Sequence, residues 1–130
     1  MKFTIKGELT DLNKYIKALN SSRWGGNSIK QEETHRVATE ARLARLQPVQ
    51  EYPVKIAYRW YCKDERKDTD NVAFAKKFVN DGLVAAGVLA NDSRKYVCGF
   101  SDEFFIDKNN PRIEVELSTF TRLDDNTKKE

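Results

Sequence analysis

The sequence has few of the side chains that bind soft metals or cross-link a fold. It contains two cysteines, Cys62 and Cys98, far apart and without a Cys-x-x-Cys pair, and a single histidine, His35. This scarcity excludes zinc fingers, mixed His–Cys metal centres and a disulfide scaffold. Any acid–base or metal chemistry must therefore rest on carboxylates, lysine or tyrosine.

Long apolar runs are absent as well. No segment approaches the ~18 apolar residues of a membrane span, and the first residues alternate in polarity instead of forming the apolar stretch of a signal peptide. With 130 residues, 39% of them hydrophobic, the chain is long enough for one stable core and short for two full-sized domains. We expect one domain over residues 1–130, soluble and cytoplasmic, with a frayed tail at about 123–130.

The charge is unevenly distributed along the chain. Residues 1–67 hold 14 Lys and Arg against 8 Asp and Glu, whereas residues 68–130 hold 9 against 12. A basic surface for a polyanion beside an acidic site has this asymmetry, but so do many ordinary globular surfaces. The charge alone therefore leaves the function open.

Apolar periodicity predicts an α+β fold. Alternating segments predict strands at about residues 2–10, 54–62, 96–106 and 112–120. Helical spacing predicts helices at about 11–19, 28–46 and 70–86, and the turn-forming residues at 20–27 predict a flexible loop. We expect a two-layer α/β sandwich, in which a mixed β-sheet has helices packed on one face.

The residues best suited to catalysis or metal binding are concentrated between the second strand and the next helix, in Lys67-Asp68-Thr69-Asp70-Asn71. Two carboxylates two residues apart repel each other unless a cation lies between them, and Mg²⁺ is commonly held by such hard oxygen ligands beside a phosphate. On a continuous helix at about 100° per residue, Lys77 falls within roughly 20° of Asp70, whereas Lys76 is off by about 120°.

Two further residues extend this constellation. Asp81 is four residues after Lys77 and would orient it by an i to i+4 ion pair. Asp92, in the loop Asn91-Asp92-Ser93, is the best-placed third carboxylate. These residues together predict a metal-dependent phosphoryl-transfer site.

Simpler roles account for each residue taken alone. Asp68 or Asp70 by itself is commonly a helix N-cap, and Asp92 by itself is commonly a turn residue. A calcium loop starting at Asp68 is excluded, because Ala73 stands where the loop demands glycine and Val79 where it demands glutamate.

Taken together, the motifs resemble the RusA-type Holliday-junction resolvases, small endonucleases common in phages and prophages. The similarity is strongest from about residue 54 to residue 117. It is carried by Lys67-Asp68-Thr69-Asp70-Asn71, the lysine on the following helix, Asp81-Gly82-Leu83, Ala86-Gly87-Val88-Leu89 and Asn91-Asp92-Ser93.

The resemblance implies that Asp68, Asp70 and Asp92 are the metal-binding and catalytic carboxylates, and that a lysine at 76 or 77 assists catalysis. Better known members have this lysine three residues after the Asn of the signature, where this chain has Phe74. An insertion of three residues explains the difference and keeps the helical face, which favours Lys77 over Lys76.

DNA contacts are expected from three places in the chain. Basic residues after the second strand and on the helix would contact phosphates, and the amino-terminal region is similar to that of the family. The expected DNA-binding residues are Lys63, Arg66, Lys67, Lys76, Asn13 and Lys14.

The implied protein is a phage- or prophage-encoded homodimer that needs Mg²⁺, with Mn²⁺ as a substitute, and uses no organic cofactor and no membrane. It would cut four-way DNA junctions by paired symmetric nicks, because a two-fold dimer matches the two-fold symmetry of the strands to be cut. Three alternatives stay open: a nuclease for flaps or forks, a junction-binding protein that does not cleave, and a structural phage protein without metal.

Overall fold

The computed structural model describes residues 1–120, so the expected frayed tail lies outside the described residues. The strands form one mixed sheet in the order β1-β4-β2-β3, in which β2 and β3 are parallel and the other neighbours antiparallel. The elements are β1 (Lys2–Lys6), α1 (Leu12–Ser21), α2 (Arg23–Leu43), β2 (Val54–Cys62), α3 (Thr69–Ala73), α4 (Lys76–Ala85), β3 (Val97–Ile106) and β4 (Arg112–Thr119). The predicted α+β class with a mixed sheet is confirmed.

The core lies between one face of the sheet and the helices. Every second residue of β2, from Val54 to Cys62, is buried, and the residues between them are only partly buried. The same alternation occurs in β4. The buried side chains of β2 and β4 pack with those of α2 and α4, which include Val37, Ala41, Phe78, Val79 and Leu83. The arrangement is compatible with the expected two-layer sandwich. Within residues 1–120, no helix has the length and apolar character needed to cross a bilayer.

All four predicted strands are present, and one of them, β1, is shorter than predicted. β2 has the predicted bounds, and β3 and β4 each differ from prediction by one residue at one end. β1 is four residues shorter than expected, because the chain leaves the sheet at Gly7, whose N–H donates to the carbonyl of Pro111 at 2.8 Å. Leu9 is nevertheless buried in the core.

The flexible loop predicted at residues 20–27 is wrong, because α2 begins directly after α1. Ser22 forms the N-cap of α2, and its side-chain oxygen accepts a hydrogen bond from the N–H of Gly25 at 2.9 Å. A Cβ on Gly26 would lie 2.0 Å from Cδ2 of Leu19. The small residues that suggested a loop therefore permit close contact between the two helices. At its other end α2 stops three residues before the predicted boundary.

The single helix predicted over residues 70–86 is also wrong, because it is divided into α3 and α4. At the junction the bonding changes to the tighter i to i+3 pattern, in which Lys77 N–H donates to the carbonyl of Phe74 at 3.1 Å. The Phe74 ring packs against Tyr15 of α1, with 5.3 Å between ring centroids. The faces of α3 and α4 are not continuous, so the shared face inferred for Asp70 and Lys77 does not follow.

Close packing of α2 on α4 depends on Gly82. A Cβ there would lie 2.5 Å from the Cβ of Val37 and 3.1 Å from the carbonyl oxygen of Thr34. We expect Gly82→Ala to lower the free energy of unfolding by about 1–3 kcal/mol, as overpacked cores do. Helix propensity alone predicts the opposite, a gain of about 1 kcal/mol. Urea denaturation followed by circular dichroism distinguishes the two, and a more stable variant would contradict the predicted contact.

Candidate functional site

The two aspartates of the Asp-x-Asp motif lie at the start of α3. Asp68 occupies the N-cap position, yet its side chain accepts no capping hydrogen bond from the helix. Asp70, in the first turn, accepts a hydrogen bond from the N–H of Asn71 at 2.9 Å. Both aspartates are exposed. The capping role that the sequence left open is therefore not realised by the Asp68 carboxylate, which is accessible to a ligand.

Both aspartates open onto a groove of about 580 Å³ at the ends of β2 and β3. We call this the acidic groove, lined by the carboxylates of Asp64, Glu65, Asp68 and Asp70 and by the apolar side chains of Phe104, Phe105 and Ile106. Lys67 is the one basic residue among its lining residues. Carboxylates thus outnumber basic groups, so the groove favours a cation and repels an unaccompanied phosphate.

Lys67 and Asn71, the residues on either side of the Asp-x-Asp motif, both contact the start of α1 and the residues just before it. The Lys67 ammonium lies 3.2 Å from a carboxylate oxygen of Glu8 and 3.2 Å from one of Asp11. Burial lowers the pKa of Lys67, but its hydrogen bonds to Asp11 and Glu8 outweigh burial and raise that pKa above its ordinary value. Asn71 accepts a hydrogen bond from the N–H of Asn13 at 2.9 Å. Lys67 and Asn71 therefore position the aspartates between them.

Lys77 and Asp92 lie close to each other, and neither lines the acidic groove. The Lys77 ammonium is 3.3 Å from Asp81, which confirms the predicted i to i+4 pair, and 4.0 Å from Asp92. The turn at Asp92 is formed by Asn91, whose side-chain oxygen accepts the N–H groups of Asp92 and Ser93 at 2.7 and 3.1 Å. The Asp92 carboxylate is therefore not the turn-forming group, and it faces a lysine instead.

Lys76 has a different environment from its neighbour. Its ammonium lies 2.5 Å from Asp102 of β3, whose other carboxylate oxygen accepts the indole N–H of Trp60 at 2.8 Å. The same ammonium lies 5.5 Å from the ring centroid of Tyr58 and 5.2 Å from that of Phe100. Lys76 thus joins α4 to the sheet, and its charge is already engaged by a carboxylate. Lys77 is also paired with a carboxylate, but its side chain is 56% exposed against 21% for Lys76, which favours Lys77 as the lysine available to a substrate.

The remaining candidates for DNA contact are exposed residues. Lys63 and Arg66 lie on the segment between β2 and α3, and Arg66 approaches Asp64 at 3.8 Å. Asn13 and Lys14 lie exposed in the first turn of α1. Their contacts with DNA stay predictions.

The three predicted metal ligands do not form one cluster in a single chain. Residues 1–120 contain no group of three His, Cys, Asp or Glu side chains close enough to hold a metal ion. Asp68 and Asp70 share the acidic groove, whereas Asp92 lies against Lys77. The two carboxylates in the acidic groove fit Mg²⁺. This ion is commonly bound through one or two carboxylates, and water and substrate phosphates complete its coordination shell.

Sequence reasoning missed Asp102 and the apolar wall of the acidic groove. Phe104, Phe105 and Ile106 are three consecutive apolar residues at the end of a strand, which breaks the alternation expected of a strand with one buried face. That break in the alternation was the sequence signal that could have predicted an exposed apolar surface at this end of β3. For Asp102 no signal existed, because its partners come from two distant elements. The whole chain matches no protein-family model, and no curated protein is detectably similar to it.

Proposed function

We propose that the chain is a Mg²⁺-dependent endodeoxyribonuclease that cuts branched DNA, with four-way junctions resolved by paired symmetric nicks. The observation that carries the proposal is the pair of exposed carboxylates, Asp68 and Asp70, on a groove where carboxylates predominate. The Asp68 carboxylate is not used by helix capping. Because the groove is negatively charged, DNA can bind there only if cations bind with it. A nuclease that depends on a divalent metal ion binds its substrate in this way.

The residues have separate roles in this proposal. Mg²⁺, when bound at Asp68 and Asp70, supplies a Lewis acid for the scissile phosphate and lowers the pKa of an attacking water. The resemblance assigns stabilisation of the added transition-state charge to Lys77, which Asp81 orients; because Lys77 does not line the acidic groove, this role requires the DNA backbone to extend from the groove to Lys77. Lys67 and Asn71 hold the two aspartates in place through α1.

The reaction is an in-line displacement at phosphorus. The water oxygen forms a bond to phosphorus while the bond to the 3′-oxygen breaks, leaving a 5′-phosphate and a 3′-hydroxyl. The proton from the water passes to solvent, and the departing 3′-oxygen takes up a proton in turn. Exposed Lys63 and Arg66 contact flanking phosphates, so junction binding weakens steeply with salt.

The direct test uses a labelled four-way junction, a three-way junction and a matched linear duplex, each with Mg²⁺ or with EDTA. We expect paired symmetric nicks in the four-way junction with Mg²⁺, and none in the linear duplex or with EDTA. Equal cutting of three-way and four-way DNA would show that the protein is a flap or fork nuclease and not a junction resolvase. Tight junction binding without cutting would leave a DNA-binding protein, and the absence of both would overturn the proposal.

A further inference from the structure

A second groove, of about 650 Å³, lies between α2 and α4. We call it the α2–α4 groove. The short side chains of Ala38 and Ala85 line it, so it forms a depression beside longer side chains. Asp81 is its one acidic lining residue. The other lining residues all lie on α2 and carry N–H or O–H donors: Asn27, Lys30, Gln31, Thr34, His35 and Arg42.

The acidic residues of α2 lie outside this groove. None of the three, Glu32, Glu33 and Glu40, is among its lining residues. Glu33 accepts hydrogen bonds from the N–H and the hydroxyl of Thr10 at 2.6 and 3.0 Å, and Glu40 accepts one from the N–H of Lys6 at 3.0 Å. Two carboxylates of α2 thus hold β1 and the segment after it, while basic residues of the same helix line the groove.

Positive charge predominates in the α2–α4 groove. Lys30 and Arg42 line it and are exposed. The charge of Asp81 is matched by Lys77, whose ammonium lies 3.3 Å from that carboxylate. The groove is therefore opposite in charge to the acidic groove, and it attracts an anion without the help of a metal ion.

Polar atoms of the protein are left without partners at this groove. The hydroxyl oxygen of Thr34 and one carboxylate oxygen of Asp81 are buried and form no hydrogen bond within residues 1–120. They are the two such side-chain atoms in that part of the chain, and both residues line the groove. Buried polar groups ordinarily have partners. The groove is therefore better matched to a polar ligand than to an apolar one.

The donors of the groove are arranged in a row along α2. Lys30, Thr34, Ala38 and Arg42 recur at every fourth residue, which places them on one ridge of the helix. Lys30 and Arg42 are about 18 Å apart along this ridge, because a helix rises by about 1.5 Å per residue. One strand of B-DNA carries a phosphate for about every 3.4 Å of its axis. The row therefore matches an extended polyanion, whereas a small anion would contact only one end of it.

Lys77 connects this groove with the proposed nuclease site. Its ammonium contacts Asp81, a lining residue of the α2–α4 groove, and lies 4.0 Å from Asp92. In the proposed function, DNA bound at the acidic groove extends to Lys77. A strand that reaches Lys77 arrives at the α2–α4 groove, where the next phosphates meet Lys30 and Arg42.

We propose that the α2–α4 groove holds the sugar–phosphate backbone of one DNA strand, with phosphates at Lys30 and Arg42. The choice of DNA as the polyanion rests on the proposed function, but the contact itself needs neither cleavage nor a metal ion. Gln31 and His35 supply further donors to the phosphates between the two basic residues. Because backbone contacts position DNA and carry no sequence information, binding through this groove is independent of sequence.

Salt titration tests the phosphate contacts. Binding of a fluorescent four-way junction is measured by anisotropy in EDTA, from about 50 to 200 mM NaCl. Lys30→Gln and Arg42→Gln should each weaken binding about five- to tenfold at about 0.1 M salt and lower the slope of log K against log salt by about 0.9, because each removes one phosphate contact. Lys2→Gln is the matched control and should bind like the parent protein. Lys2 is 68% exposed and alternates with the buried Phe3 onto the other face of the sheet.

Two junctions with unrelated arm sequences are compared in the same titration. The losses should be equal for both, and the circular dichroism of each variant should match that of the parent protein. A loss confined to one sequence would indicate base contacts and overturn the assignment to the backbone. Unchanged binding in both groove variants, or a parent protein that does not bind the junction in EDTA, would overturn the proposal.

Protection from alkylation tests whether the strand occupies the groove. Gln31→Cys and Leu43→Cys are made separately in a Cys98→Ser background, in which the remaining Cys62 is buried. Both positions are exposed on α2, but only residue 31 lines the groove. Excess junction in EDTA should slow the reaction with maleimide several-fold at residue 31 and leave it unchanged at residue 43. Protection of residue 31 by polyglutamate and not by the junction would assign the groove to an acidic protein segment and overturn the DNA contact.

Cleavage with Mg²⁺ separates this inference from the proposed function. A parent protein that cuts no DNA but gives the expected salt and protection results would overturn the proposed function and leave the strand contact. A double variant, Lys30→Gln with Arg42→Gln, that binds and cuts the junction as the parent does would overturn the strand contact and leave the nuclease.

Discussion

Asparagine at position 70 should lower Mg²⁺-dependent junction cleavage by about 10³-fold or more and leave junction binding intact. The substitution keeps the shape of the side chain but removes one of the two exposed carboxylates of the acidic groove. Losing a single group that stabilises transition-state charge commonly costs about 10²–10³-fold, and a metal ligand acts both on the phosphate and on the water. Single-turnover cleavage and gel-shift titration measure the two quantities separately.

Binding should improve slightly in the same variant. One fewer negative charge near a phosphate is worth about 1 kcal/mol at 4 Å in water, or roughly five-fold in affinity. Glu65→Gln is the matched control, because Glu65 is an exposed carboxylate of the same groove outside the Asp-x-Asp motif. It should cleave at nearly the parent rate. Full activity of the Asp70→Asn protein, or equal loss in both variants, would contradict the assignment of Asp70.

The strands were predictable because their signal is local. In β2 the side chains alternate between two environments, so a period of two appears in the sequence and fixes its bounds. The same alternation located β4. The early end of β1 was not predictable, because it depends on a hydrogen bond from Gly7 to Pro111, more than one hundred residues away along the chain.

The helix boundaries depended on contacts between elements. Gly25 and Gly26 are typical of loops, and only the approach of Leu19 from α1 shows why they occur within a helix. Similarly, the pattern over residues 70–86 is continuous in the sequence. The break between α3 and α4 coincides with the packing of Phe74 on Tyr15, a contact that the pattern does not contain.

The candidate site was predicted as a set of residues and not as an arrangement. The spacing of Asp68 and Asp70 at the end of a strand was sufficient to locate the acidic groove. The pair of Lys77 with Asp81 also followed from helical spacing and is present. The relation of Asp92 to the motif aspartates did not follow, because the break before α4 and the irregular segment after Ala85 both intervene.

The two adjacent lysines of α4 should give different cleavage rates when each is replaced by methionine. Lys77→Met should lower cleavage about 10²-fold in the folded protein, because the exposed Lys77 is the lysine available to a substrate. It should also lower the free energy of unfolding, because the Asp81 carboxylate, only 19% exposed, loses its cation. Lys76→Met should cost about 2 kcal/mol or more of stability, since it leaves the half-buried carboxylate of Asp102 without its cation.

A double variant separates the structural role of Lys76 from a catalytic one. Adding Asp102→Asn to Lys76→Met removes the unpaired charge while the amide oxygen still accepts the indole N–H of Trp60. Urea denaturation should therefore show that the double variant is more stable than Lys76→Met, and single-turnover assays at a temperature where both are folded should show nearly parent cleavage rates. A Lys76→Met protein that is as stable as the parent but inactive, beside an active Lys77→Met protein, would make Lys76 the catalytic lysine, because a structural ion pair affects the rate only through folding.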